Sequence, residues 1–338
     1  MKRLLIITTG GTIAMKRDSS THAISPAKSG KELIAAVPEI KRFAQIELIE
    51  FSNIDSSDMT PEMMFRLARL VKNHIDRYDI DGIIITHGTD TLEETAYMID
   101  LLIEDCKPIV LTAAMRSFDE AGTDAPTNLL SAVKTACSDA CPQAGTLVVM
   151  NEEIHAAREV RKTYTSNVAT FESPGYGPLG IVDEDQVIIF RKSLIRETIQ
   201  AEHIEADVEL FKMTAGNDGR LIGYAIENNV KGIVIEGLGR GNIPASAADQ
   251  VLRAIYQQIP VVITSRCFKG RVLGIYGGTG GGKKLHEAGI IYGGDLSGQK
   301  ARIKLMVALG LTTDLEDIKE IFEKKMYSNF ANKRDVSK

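Results

Sequence analysis

Short apolar runs rich in Ile, Val and Leu alternate with longer segments of helical periodicity along the first half of the chain. The runs are apolar at successive positions, which is typical of strands buried on both faces of a parallel sheet. This alternation predicts an α/β domain in which helices flank a mostly parallel sheet. The predicted strands are 4–8, 46–50, 82–86, 108–113 and 146–150, and the predicted helices are 61–78 and 90–104.

Both predicted helices begin at residues that favour helix N-termini. Asp58 or Thr60 precedes Pro61, and proline is well tolerated in the first turn. Asp90 is followed three residues later by Glu93, which is the spacing of a capping box.

The alternation weakens in a mixed charged stretch from about 183 to 208 and then resumes. Strands are predicted at 231–236 and 260–265, and helices at 244–257 and 299–309. A chain of 338 residues is long enough for two domains. We therefore expect a larger N-terminal catalytic α/β domain over 1–190, a linker over 191–211, a smaller C-terminal α/β domain over 212–330 and a polar tail over 331–338.

The charge balance argues against a nucleic acid as the partner. The 45 acidic and 40 basic residues give a net charge of −5, so the chain lacks the basic field that holds a nucleic acid. No apolar run approaches the roughly 18 residues that span a bilayer, and the first run is too short for a signal peptide. We expect a soluble, cytoplasmic protein without nucleic-acid or membrane partners.

The four cysteines and six histidines show no metal-ligand spacing, so no metal is predicted. Cys137 and Cys141 lie four residues apart in a helical stretch, which predicts a reduced pair on one helix face.

Candidate chemistry lies at two strand ends. The first strand continues into "TTGGTIA" (8–14) and the third into "THGTDT" (86–91), and each places a threonine after a glycine turn. A structural interpretation is available, because threonine is common at strand ends and Asp90 can serve as a helix cap. The pairing of two such ends favours a ligand site, since ligands of parallel α/β sheets bind beyond the carboxyl ends of the strands.

A threonine hydroxyl is a weak nucleophile and needs a proton acceptor nearby. Lys162 follows the fifth strand in a polar loop. Burial lowers a lysine pKa and a neighbouring carboxylate raises it, so Lys162 beside Asp90 is a candidate for proton relay. The competing interpretation is a solvated loop lysine.

The chain resembles the bacterial L-asparaginases, also called glutaminase-asparaginases. The resemblance runs in order through nearly the whole chain, in "TTGGTIA", "IDSSDM" (54–59), "HGTDT", "AAMRS" (113–117), "AREVRKT" (157–163), "ESPGYGPLG" (172–180) and "GLGRGN" (237–242).

This resemblance implies hydrolysis of the side-chain amide of L-asparagine to L-aspartate and ammonia, without a cofactor. It implies that Thr12 is the nucleophile and forms an acyl-enzyme ester. Thr89, Asp90 and Lys162 would form the second catalytic group, which polarises Thr89 or the attacking water.

Substrate binding is implied at further matched positions. Ser56 and Asp90 would hold the α-carboxylate and α-ammonium, and the Ala114 backbone would lie against the leaving amide. Turn amides are available to steady an oxyanion. The predicted binding residues are Gly11, Ser56, Ser57, Gly88, Ala114 and Asn242.

Two expectations follow from Ser57 and Asn242. Ser57 stands where glutamine-tolerant relatives often carry a longer Gln, which predicts only minor glutaminase activity. Asn242 lies on a glycine-rich turn that in the family reaches the neighbouring subunit's site, which implies a homo-oligomer, either a dimer or a tetramer.

The chain also departs from the family pattern. The loop 15–30, expected to be a mobile lid, contains no Tyr, although many members carry one there. No Glu is assigned where some members contribute one from the neighbouring subunit, and Tyr276 is a candidate substitute for either group.

Three other interpretations are less favoured. The chain could be the amidase part of a tRNA-dependent amidotransferase, but the first strand begins directly at the N-terminus, where such a subunit normally has an extra domain. A non-catalytic amino-acid sensor would not need two strand-end threonines with a lysine. The glycine run at 277–282 lacks the spacing of a phosphate-binding loop.

Overall fold

The computed structural model describes the backbone of residues 1–17, 24–26, 29–104, 107–140 and 145–331, and the side chains of 1–13, 29–104, 107–140 and 145–323. The chain divides into two compact units, Met1–Thr198 and Ile199–Lys338. None of the helices within the described ranges is long and apolar enough to cross a bilayer.

Within its described residues, the first unit combines a large sheet with four α-helices. Its helices are α1 (Gly30–Ala35), α2 (Pro61–Ile75), α3 (Leu92–Leu102) and α4 (Ala125–Cys137). Its strands are β1 (Lys2–Gly10), β2 (Met15–Arg17), β3 (Ile24–Pro26), β4 (Ala44–Ile54), β5 (Gly82–Thr86), β6 (Ile109–Thr112), β7 (Thr146–Met150), β8 (Glu153–Ala156), β9 (Arg161–Lys162), β10 (Phe171–Glu172), β11 (Gly180–Asp183) and β12 (Gln186–Ile189).

Eight strands form the large sheet, in the order β12-β11-β8-β7-β6-β5-β1-β4. The five predicted strands lie together at one end as the parallel set β4-β1-β5-β6-β7. Strands β5, β6 and β7 are buried at every position, as the unbroken apolar runs predict. Neighbouring β4 and β5 on either side of β1 create a switch point in strand order, and such a point opens a crevice at the carboxyl ends.

Helix α2 agrees with its predicted pattern. Thr60 is its N-cap, with the side-chain oxygen accepting the Met63 N–H, and Pro61 lies in the first turn. The apolar stripe, Met64, Ala68, Val71 and Ile75, is buried.

Helix α3 is not the amphipathic helix that was predicted. It begins at Leu92, and nearly all of its side chains are buried, including Glu93 and Asp100. Its N-cap is Thr91, which makes no side-chain cap bond, so the predicted capping box of Asp90 and Glu93 is wrong. The Asp90 carboxylate is used elsewhere, as described below.

The antiparallel end of the large sheet was not predicted. Strands β8, β11 and β12 are four residues each, and β11 and β12 pair in a hairpin inside or next to the charged stretch. Val187 and Ile189 of β12 pack on the core, whereas Ile188 is exposed. A short edge strand covered on one face gives too few apolar positions to be recognised.

The second unit has a four-stranded parallel sheet, β13-β14-β15-β16, with α8 packed against it. Its elements are β13 (Val208–Lys212), α5 (Arg220–Glu227), β14 (Gly232–Gly237), α6 (Ala248–Tyr256), β15 (Val261–Ser265), α7 (Gly282–Glu287), β16 (Ile291–Tyr292), α8 (Gly298–Leu309) and α9 (Leu315–Ala331). A larger, mostly parallel α/β unit and a smaller α/β unit confirm the predicted fold class.

Several finer predictions are altered or lie outside the described residues. Strand β13 begins at Val208, inside the predicted linker, and the boundaries of that linker stay a prediction. Helix α4 ends at Cys137, and Cys141, the other member of the predicted pair, lies outside the described residues. Much of the predicted lid and most of the polar tail also lie outside them.

Candidate active site

Two glycine turns meet at the switch point between β1 and β5. Gly10 ends β1 and Gly11 follows it, with φ of +104° and +79°, a region that glycine enters without strain. A Cβ atom on Gly11 would overlap the backbone of Gly88, which follows β5. Thr12 and Thr89 are the next residues in the two turns, so each lies one residue from this contact.

Ser56 is the third group at this point. It is buried in a short 3-10 helix that follows β4, and a Cβ atom on Gly88 would lie 2.6 Å from its Oγ. The Asp90 N–H donates to Ser56 Oγ at 3.1 Å, and Thr91 Oγ1 donates to the Ser56 carbonyl at 2.7 Å. The ends of β1, β4 and β5 are therefore fastened together.

Lys162 joins the cluster from a different part of the chain. It lies in β9, opposite Phe171 of β10. Its Nζ donates to Thr89 Oγ1 at 2.9 Å and to Asp90 Oδ1 at 2.6 Å. The interpretation of Lys162 as a solvated loop lysine is wrong, because its side chain is only 17% exposed.

The three side chains differ in accessibility. Thr89 is 7% exposed, whereas the Asp90 side chain is 62% exposed. The Asp90 carboxylate is therefore open to solvent while one of its oxygens accepts a hydrogen bond from Lys162. Glu93, from the first turn of α3, accepts the Lys162 backbone N–H at 3.4 Å and is the buried carboxylate behind the group.

His87 supports the turn from behind. It is fully buried, with Nδ1 2.8 Å from the Gly88 carbonyl and Nε2 3.0 Å from Thr95 Oγ1. Burial lowers the pKa of His87 from 6.5 to about 4. A neutral imidazole that holds the backbone of the turn is therefore its role at neutral pH.

Ala114 follows β6, the next strand of the sheet. The His87 N–H donates to the Thr112 carbonyl at 2.9 Å, which places the ends of β5 and β6 side by side. Ala114 is completely buried. Within the described part of the chain, neither its N–H nor its carbonyl takes part in a hydrogen bond.

The remaining predicted residues are placed as follows. Thr12 opens a short 3-10 helix and is half-buried, and Ser57 is exposed. Asn242 belongs to the second unit, where its Oδ1 accepts the Gly282 N–H at 3.2 Å and so holds the start of α7. Tyr276, also in that unit, is 54% exposed.

Sequence reasoning missed Asp124 and Asn128, which brace the segment that contains Ala114. Asp124 is the N-cap residue of α4, but its carboxylate accepts the Met115 and Arg116 N–H groups instead of capping the helix. The Asp that precedes Ala125 and Pro126 predicts a helix start, but no local signal indicates its contact with a segment eight or nine residues earlier.

The cluster combines the exposed Asp90 carboxylate, the amides of the glycine turns and the Thr89 hydroxyl, which accepts a hydrogen bond from Lys162. Such a set suits a small zwitterion and supplies donors for a developing oxyanion. No group of three or more His, Cys, Asp or Glu able to hold a metal was found among the described residues.

Two family profiles match the chain. Residues 3–195 match the family profile "Asparaginase, N-terminal", and residues 207–322 match "Glutaminase/Asparaginase C-terminal domain". The chain belongs to the asparaginase family. The resemblance, the fold class and the enzyme class predicted from the sequence are thereby confirmed.

Family members of two kinds are similar to the chain. The L-asparaginase of Bacillus licheniformis is 39% identical over 308 residues, which cover 91% of this chain and 95% of that protein. A glutamyl-tRNA(Gln) amidotransferase subunit of Pyrococcus furiosus is 36% identical, and the match covers 97% of this chain and 76% of that protein.

A solved structure is also similar. The probable cytoplasmic L-asparaginase of Campylobacter jejuni superposes with a TM-score of 0.85 at 34% identity, covering 95% of this chain and 99% of that one.

Proposed function

We propose that this member of the asparaginase family hydrolyses the side-chain amide of L-asparagine to L-aspartate and ammonia. The observation that carries the proposal is the contact of Lys162 Nζ with Thr89 Oγ1 and Asp90 Oδ1 at the meeting of the glycine turns. The names of the Bacillus and Campylobacter relatives support the choice of substrate.

In this proposal Asp90 and Ser56 bind the α groups of the substrate. The exposed Asp90 carboxylate suits the ammonium, and charge-assisted hydrogen bonds are stronger than neutral ones. Ser56 Oγ, held by the Asp90 N–H, suits the carboxylate. The amide carbon then lies toward Thr12, and the Gly11 and Gly88 turns supply N–H groups for the oxyanion.

The reaction has two steps. Thr12 Oγ bonds to the amide carbon, the C–N bond breaks, and the hydroxyl proton leaves on the nitrogen as ammonia. Water then attacks the ester carbon, the bond between that carbon and Thr12 Oγ1 breaks, one proton of the water returns to Thr12 Oγ1, and aspartate leaves with the water oxygen in its side-chain carboxyl group. The hydroxyl of Thr89, polarised by Lys162, moves the proton in each step.

The test measures ammonia release from L-asparagine. We expect the wild type to release ammonia and Lys162→Met to lower kcat/KM by about 100-fold or more, because the proton path through Thr89 is lost. Lys134→Met is the matched control, since Lys134 bonds Asp185 and the Glu184 carbonyl outside the site. A Lys162→Met enzyme as active as the control would refute the role.

We propose only minor glutaminase activity. The two amides differ by one methylene, which a shaped pocket discriminates by about 10- to 200-fold. Ser57 is short and exposed, so it contributes little to binding of the α-amino and α-carboxylate groups. Glutamine is one methylene longer, so its amide carbon is displaced from Thr12, and such misplacement of reacting atoms is costly. Asparagine should exceed glutamine in kcat/KM, and Ser57→Gln should narrow the ratio. Equal values for the wild type would contradict this proposal.

A second candidate is the amidase of a glutamyl-tRNA amidotransferase, which the 36% identity to the Pyrococcus protein favours. It predicts that the purified chain releases little ammonia from free asparagine until its partner subunit and tRNA are added. The ammonia assay above separates the two. Location in the cytoplasm is also proposed, supported by the name of the Campylobacter relative.

A further inference from the structure

We propose a second ligand site in the first unit, a cavity that binds a short aliphatic monocarboxylate. One part of its lining is apolar and another carries cationic side chains with unused hydrogen-bond donors. The site is independent of the proposed amide hydrolysis, because no residue of the candidate active site lines the cavity.

The cavity lies at the edge of the large sheet opposite the glycine turns. Leu147 of β7 and Ala156 of β8 are directly paired, and both line a space of about 130 Å³. Leu147 lies near the amino end of β7, which runs parallel to β6 and β5, whereas the glycine turns lie at the carboxyl ends of β1 and β5. The cavity and the candidate active site are therefore separate.

The apolar part of the lining comes mainly from the antiparallel end of the sheet and the residues beside it. It includes Ile154, Ala156, Leu179 and Ile189, which belong to the hydrophobic core of this unit or pack against it. An apolar cavity of about 150 Å³ accepts a molecule as large as benzene. The volume here therefore suits an aliphatic chain of about five carbons.

The polar part of the lining carries an excess of positive charge. Its cationic side chains are Arg158, Arg191, Lys192 and Arg196. The carboxylates next to them are Asp100, which lines the cavity, Glu159, which accepts Arg191, and Glu197, which follows Arg196 in the chain. Four cations and three carboxylates leave one positive charge, which one monocarboxylate would balance.

Two of the arginines are held in place by the protein. Arg191 donates through Nε to the Pro178 carbonyl at 3.1 Å and through Nη2 to Glu159 at 2.6 Å. Arg196 donates through Nη2 to the Ile103 carbonyl at 3.1 Å. Because each guanidinium is planar, these bonds also fix the direction of the remaining N–H groups.

Donors remain on three of the cations. Within the described residues, neither the Nη1 group of Arg191 or Arg196 nor the Nζ of Lys192 makes a hydrogen bond. The two arginine side chains are 27% and 26% exposed, and Lys192 is exposed, so solvent reaches all three. Fixed N–H groups of this kind bind carboxylates in charge-assisted pairs.

The test measures hexanoate binding to the full chain by calorimetry, with L-aspartate present in excess to compete at the candidate active site. Hexanoate places a five-carbon chain in the cavity and a carboxylate on the cationic side chains. We expect saturable binding with a Kd of about 1 mM or lower. The uncharged 1-hexanol should bind at least about 10-fold more weakly, because it forms no charge-assisted pair.

Two variants locate the binding in this cavity. Lys192→Met removes one charge and keeps a side chain of similar length, so hexanoate should bind about fivefold more weakly. Lys72→Met is the matched control, since it removes the same charge from an exposed position on α2 and should bind hexanoate as the wild type does. Ala156→Leu fills the apolar part and should weaken binding at least about 30-fold.

No saturable binding up to about 10 mM, or loss of binding when aspartate is added, would overturn the proposal. Equal affinity for hexanoate and 1-hexanol would also overturn it, as would equal affinity of Lys192→Met and Lys72→Met for hexanoate. If Ala156→Leu does not fold, the two lysine variants still decide.

Discussion

Lys162 connects Thr89 and Asp90 into a candidate catalytic group at the point where the glycine turns meet. Its ammonium bonds one buried hydroxyl and one exposed carboxylate, on Thr89 and Asp90. The Thr89 hydroxyl is thereby buried, and the Asp90 carboxylate stays exposed to solvent. Adjacent residues in the chain serve different purposes because their side chains differ in burial.

His87 gives a prediction about pH. Its pKa is about 4 in the folded chain and near 6.5 when unfolded, because burial disfavours the imidazolium. The unfolded chain therefore binds the extra proton first, and the free energy of unfolding falls as pH drops from about 6.5 to 4. Once the pH is below about 4, His87 has lowered the free energy of unfolding by about 3 kcal/mol.

Urea unfolding of the wild type and His87→Gln across this range measures the contribution. Carboxylates titrate in both proteins, so the difference between the two curves isolates His87. The variant should lose less stability on acidification. Parallel curves would show that His87 is not buried in the neutral form.

At the scale of elements, the contact of the Gly11 and Gly88 turns makes a sharp prediction. Gly11→Ala needs a Cβ atom where the Gly88 backbone already lies, on a φ of +79°. The variant should lose activity and about 2 kcal/mol or more of stability. Gly277→Ala is the matched control, since nothing lies within 4 Å of its added Cβ, and it should stay within about 0.5 kcal/mol of wild type.

Thermal unfolding and the ammonia assay on the two glycine variants supply the comparison. Equal behaviour of Gly11→Ala and Gly277→Ala would mean that the two turns do not meet as described.

The elements that could be predicted are those whose burial repeats along the sequence. The runs of β5 and β7 are buried at every position, and their bounds, 82–86 and 146–150, were predicted correctly. The prediction of an amphipathic α3 is wrong because its polar residues, such as Glu93 and Asp100, are buried rather than exposed. A charged residue is a reliable sign of an exposed position only where the fold supplies no partner for its side chain.

In the candidate site, the features that are local in sequence could be predicted, whereas contacts between distant residues could not. The glycine turns after β1 and β5 are visible as short strings, because each is local. The brace of Asp124 and Asn128 is not, since it joins side chains to the backbone of another segment. The sequence alone leaves Asp90 ambiguous between a helix cap and a site residue, because its carboxylate bonds Lys162, 72 residues away.

For the whole molecule we predict a homo-oligomer, either a dimer or a tetramer. Asn242 fixes the start of α7 on a glycine-rich turn of the second unit, which in the family reaches a neighbouring subunit's site. Light scattering on the active enzyme should give a mass of at least twice 36.9 kDa. Full activity in a monomeric peak would rule this assembly out.

The most direct test of the account is ammonia release from L-asparagine by the wild type and Thr12→Ala. Removal of the nucleophilic hydroxyl leaves binding intact and abolishes the acyl-enzyme ester, so the rate should fall by about 10,000-fold or more. The wild type should release one ammonia for each aspartate. A wild type that releases none, or a Thr12→Ala enzyme that keeps an appreciable fraction of the wild-type rate, would contradict hydrolysis through Thr12.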